Sequence, residues 1–65
     1  MKTLKQRLNP EFAKFLEENP NENIDFILNR YKFYSPVTFT EVLELSHYFK
    51  INYDYYSFIN LFNND

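Results

Sequence analysis

Ser35-Pro36-Val37-Thr38-Phe39-Thr40-Glu41-Val42-Leu43-Glu44-Leu45-Ser46-His47-Tyr48-Phe49 is the stretch that decides the fold. Thr38 and Glu41 form a capping box. The threonine hydroxyl accepts the amide three residues on, and the glutamate reaches back to the cap amide. Ahead of it, Pro36 pushes Ser35 out of the helical region, so Tyr34-Ser35-Pro36 is a break. Behind it, Val42, Leu45 and Phe49, with Leu43 and Ser46 beside them, recur at the period of an amphipathic helix.

Working toward the N-terminus, Ile24, Ile27, Leu28 and Tyr31 repeat the stripe and predict a helix over 21–32. Glu22 and Asp25 suit the positive end of that helix. Phe12, Phe15 and Leu16 predict another over 10–18, with Pro10 in its first turn and Asn9 as its cap. Leu4 and Leu8, four apart, allow a short first helix over 2–8. Toward the C-terminus, Asn52 caps a last helix with Asp54 in its first turn and Tyr55, Tyr56, Ile59 and Phe62 inward. A strand over Ile51–Phe58 is the competing reading, since Tyr, Phe and Ile favour sheets. Alternation there is poor and a lone strand has no partner. The expected fold is all-α, one small domain over 1–65 built as a single compact bundle of four to five short helices.

Composition narrows the chemistry. Sixty-five residues hold one core, and there is no Cys and no Gly. Disulfides, thiolate metal sites and glycine-rich phosphate loops are therefore excluded. No apolar run approaches the roughly 18 residues of a membrane span, and the polar start is no signal peptide. The expectation is a soluble, cytoplasmic domain without membrane contact. Eight Phe and six Tyr, 22% of the chain, explain how so few residues can close a core. The wealth of Asn, Lys, Tyr, Phe and Ile suits AT-rich coding DNA, common in phages and other mobile elements.

Mainly over residues 35–56, and most clearly from Val42 onward, the chain resembles the second half of an Xre/Cro-type helix-turn-helix domain, the phage-repressor fold. The residues that carry the likeness are Ser35-Pro36, Val42, Leu45-Ser46, Tyr48-Phe49, Ile51 and Asp54-Tyr55-Tyr56. Ala13 resembles the small residue of that family's second helix. The resemblance implies a dimeric DNA-binding transcription regulator that works without cofactor, with 22–31 as the recognition helix. The candidate DNA-facing residues are then Asn21, Asn23, Asn29 and Arg30, with Lys14 and Lys32 on phosphates; asparagine can read adenine edges. The chain departs from the family's pattern in the turn, where Asn19-Pro20-Asn21 replaces the usual Gly.

Charge runs against that implication. Net charge is −2, and residues 17–29 carry Glu17, Glu18, Glu22 and Asp25 with no cation. Good DNA sites neutralise about 6–10 phosphates, whereas the whole chain holds seven Lys and Arg. The rival reading is a protein-binding inhibitor or adaptor, of the anti-defence kind, that grips a host protein with an aromatic and acidic surface. Aromatics are enriched at binding hot spots. Within the last helix Phe58 and Leu61, three apart, are expected to point outward. With Tyr53 and Phe62 they make the candidate seat for a homodimer or a partner.

Nothing points to catalysis. His47 is the only His and reads as a surface residue. No second His or Cys stands by to make a metal site with it. Glu17 and Glu18 are adjacent and face different directions, so they make no acid/base dyad. No enzyme, metal, cofactor or small-molecule substrate is expected.

Overall fold

Thr38 does what its sequence position demands. Its hydroxyl accepts the Glu41 amide over 3.2 Å, and Glu41 Oε1 accepts the Thr38 amide over 3.1 Å. The computed structural model describes residues 1–33 and 35–63; Tyr34, part of the expected break, lies outside the described residues. A 3-10 turn at Lys5–Arg7 precedes four helices: α1 (Pro10–Glu18), α2 (Glu22–Arg30), α3 (Phe39–Phe49) and α4 (Tyr55–Ile59). Among the described residues there is no strand, and the protein is all-α.

Helix α1 has the expected bounds, yet Asn9 does not cap it with its side chain. Its Nδ2 donates instead to the Asn60 carbonyl, while its backbone amide donates to Leu61 O over 2.8 Å. Asn21 is the true cap of α2, accepting from the Asn23 and Ile24 amides. The expected 21–32 helix ends at Arg30 because Tyr31 turns extended. Its carbonyl accepts the Leu4 amide, and Phe33 donates to Lys2 O. This bridging, with Thr3 opposite Lys32, also limits the expected first helix to a 3-10 turn.

Helix α3 ends in a Schellman motif. Ile51 N–H donates to Ser46 O and Lys50 N–H to His47 O, with Lys50 in the left-handed region at φ 56° and ψ 44°. At α4 the cap is Asp54 rather than Asn52; its Oδ1 accepts the Ser57 amide over 2.8 Å.

The core holds Leu4, Leu8, Leu16, Ile24, Ile27, Leu28, Phe33, Leu45, Phe49, Leu61 and Phe62. Helix α2 lies against α3 and against the 3-10 turn. Helix α1 meets the end of α3 through edge-on ring pairs, Phe12 with Phe49 at 5.5 Å and Phe15 with Tyr48 at 5.2 Å. These geometries let the ring edge meet a neighbouring ring face, about 0.5–1.5 kcal/mol beyond area burial. Residues 7–9 close onto residues 60–63, since Leu8 bridges Phe62 and the Asn63 amide donates to Arg7 O.

That closure reverses two expectations about the last helix. Leu61 is fully buried and Tyr55 and Tyr56 face solvent, whereas Phe62 is buried as its place on the inner face required. Helix α4 stops at Ile59, so Leu61 sits in the turn that follows, and the pairing with residues 7–9 draws it inward. Phe58 is half-buried and packs against the core, its ring 5.6 Å from Phe62. The outward pair Phe58 and Leu61 is thus not a surface pair.

Candidate interaction face

Once the core is closed, several large apolar side chains are left outside it. Phe39 is 67% exposed, Tyr53 45%, Tyr55 72% and Tyr56 80%. Local rules put them there. Phe39 is the first residue of α3, fixed by the capping box at the solvent end of its helix. Tyr53 precedes the Asp54 cap, and Tyr55 and Tyr56 open α4.

These four side chains form two ring pairs that border one hollow. The Phe39 and Tyr53 rings meet edge-on at 5.4 Å, and those of Tyr55 and Tyr56 at 6.0 Å. Tyr53 and Tyr55 flank one cavity of about 330 Å³ lined also by Val42, Asp54, Phe58 and Ile59. Tyr55 also lines a second cavity of about 420 Å³, whose described lining includes Leu4, Phe33, Val37 and Phe62. The result is an aromatic ridge with Tyr55 in the lining of two apolar hollows. The charge lining these hollows is Asp54, whose carboxyl is held below its ordinary pKa by the Ser57 amide and then by the Ser57 hydroxyl.

The residues expected at DNA lie elsewhere, on and around α2. Asn21, Asn23, Asn29, Arg30, Lys14 and Lys32 are all exposed. Asn21 and Asn23 line a shallow groove with His47 and Glu44. Asn21 Oδ1 is committed to the α2 cap, and Asn23 Nδ2 donates to Glu44 Oε2. Asn29 Nδ2 donates to the Asp25 carbonyl over 2.9 Å. Arg30 lies 3.7 Å from Glu41 Oε2, with its guanidinium 5.8 Å from the Phe26 ring centre and 5.2 Å from that of Tyr31. The outward face of α2 also carries Glu22 and a 61% exposed Phe26. Lys14 is on α1, and Lys32 is on the loop that bridges Thr3.

The sequence put Tyr53 on the candidate face, counted Tyr55 and Tyr56 in the aromatic surplus but turned them inward, and did not single out Phe26 or Phe39. Phe26 had a readable signal, since it lies off the Ile24, Ile27, Leu28 stripe. Phe39 had another, its place at the first helical position. For Tyr55 and Tyr56 the surplus of aromatics was readable but their direction was not, because it depends on how the short α4 is seated.

His47 is exposed, and among the described residues no group of acidic, His or Cys side chains could hold a metal ion. No helix of the described residues is long and apolar enough to cross a membrane. The chain matches no family model, no curated protein and no solved structure.

Proposed function

We propose that this chain is a non-enzymatic protein-binding module, an inhibitor or adaptor, that docks through Phe39, Tyr53, Tyr55 and Tyr56. The observation that carries the reading is the exposure of two aromatic pairs around one hollow, from 45% to 80%, beside a core that closes without them. Each such ring placed in a partner would gain roughly 1.5–3 kcal/mol of burial. Tyr also brings a hydroxyl that can find a hydrogen bond at the rim of an interface.

DNA-binding regulation is the second reading. It rests on two nine-residue helices joined through Asn19, Pro20 and Asn21, with Asn29, Arg30, Lys14 and Lys32 exposed around them. Against it stand the exposed Glu22 and Phe26 on the same helix and the engagement of Asn23 and Arg30 by carboxylates.

Retention on immobilised duplex DNA, measured across salt, separates the two. A phosphate binder loses affinity steeply as salt rises. The protein-binding reading expects no retention even at low salt. It also expects a captured partner protein that is lost by Tyr55→Ala/Tyr56→Ala and kept by Asn29→Ala/Arg30→Ala. Salt-sensitive retention abolished by Arg30→Ala, with no captured protein, would replace it by the DNA reading.

A further inference from the structure

We propose that the hollow lined by Tyr53, Asp54 and Tyr55 is a seat for an alkylated ammonium group, such as a methylated lysine side chain of the partner protein. This rests on the protein-binding reading above and adds the chemistry of what the partner inserts. The hollow, of about 330 Å³, has two tyrosines in its lining, the apolar side chains of Val42, Phe58 and Ile59 and, among the described residues, one charged side chain, Asp54. Its complementarity is therefore to a positive group with apolar substituents.

Each part of that complementarity has a physical cause. The face of a tyrosine ring is the negative end of its quadrupole and attracts a cation placed over it. Asp54 adds a negative charge at the edge of the hollow, held in place because Oδ1 accepts the Ser57 amide over 2.8 Å and Oδ2 the Ser57 hydroxyl over 3.0 Å. Those same bonds favour the ionised carboxyl. Among the described residues no cation lines the hollow to compete for it. The apolar lining decides among cations. A bare ammonium is strongly hydrated and would have to shed water against Val42, Phe58 and Ile59. Methyl groups make contact with that lining and leave the charge spread over the alkyl surface. An anion is repelled by Asp54, and a neutral apolar group gains nothing from it.

The test uses choline as the probe and its neutral carbon isostere, 3,3-dimethylbutan-1-ol, as the comparison, titrated into the full chain with aromatic resonances followed by NMR. Choline is expected to shift the Tyr53 and Tyr55 ring signals saturably, and the isostere to bind at least about tenfold more weakly. Asp54→Asn, which keeps a capping side chain, should weaken choline by about threefold or more. Tyr53→Leu should weaken it further. If Asp54→Asn loses its dispersed spectrum, the wild-type comparison of choline with the isostere decides alone. Equal saturable shifts from the two compounds, or no saturation up to about 100 mM choline, would overturn the cation seat. Either result would leave docking through the aromatic ridge standing, because the Tyr55→Ala/Tyr56→Ala capture experiment addresses that separately.

Discussion

Tyr31 donates its hydroxyl to Glu41 Oε1 over 2.8 Å, joining the residue that ends α2 to the capping box that begins α3. The same carboxylate accepts the Thr38 amide and lies 3.7 Å from Arg30. One largely buried side chain thus holds a helix start and a helix end together. The bond raises the Tyr31 pKa by favouring its protonated form. It is the first cause of the lowered Glu41 pKa, with the Thr38 bonds adding to it.

Acid sensitivity follows from that sign. A carboxyl whose folded pKa is depressed stabilises the fold above its unfolded value, and the contribution is lost as pH falls through the folded one. Glu41 and Asp54 both act in this direction. Stability should therefore hold between about pH 7 and pH 5 and fall below about pH 4. Glu41→Gln should be less stable than wild type at neutral pH but lose less on acidification. Urea midpoints at both ends of the range check this, and an equal acid loss in both proteins would contradict it.

Lys50 occupies the left-handed region at φ 56°. Side chains with a Cβ lose about 1–2 kcal/mol there, part of which glycine returns as unfolded-chain entropy. Lys50→Gly should raise stability by about 0.5–1 kcal/mol, read as a higher denaturant midpoint at unchanged slope.

Ser46 is 2% exposed, and its Oγ has no hydrogen-bond partner among the described residues. A buried hydroxyl without a partner keeps its desolvation cost. Ser46→Ala removes that cost and improves helix propensity, so it should stabilise the protein by about 1 kcal/mol. A clear loss of stability in thermal unfolding would show that the hydroxyl is bonded in solution.

Leu61 and Tyr56 are expected to behave oppositely despite their closeness in sequence. Leu61 is fully buried, so Leu61→Ala should cost about 2–5 kcal/mol. Tyr56 is 80% exposed, and Tyr56→Ala should change stability by less than about 0.5 kcal/mol. Chemical denaturation of the two variants measures how the last turn is seated.

What the sequence by itself determined is the local code. Thr38 with Glu41, Pro10, and the stripe Ile24, Ile27, Leu28 act within a few residues of one another. Capping and periodicity therefore placed α1 and α3 and the buried face of α2. What only the tertiary structure decided lies where distant segments compete for the same groups. Asn9 has the chemistry of a helix cap, yet it bonds Asn60, fifty-one residues away. Tyr31 and Lys32 fit the helical pattern, yet the N-terminal segment takes their neighbourhood into a bridge. Leu61 fits an outward position on a continued helix, but its carbonyl accepts the Asn9 amide. The helix stops at Ile59 and the side chain turns in. A five-residue helix has too little periodicity to set its own orientation. The aromatic ridge of Tyr53, Tyr55 and Tyr56 was therefore legible as a surplus of aromatics, and its direction was set by the closure of residues 7–9 onto residues 60–63.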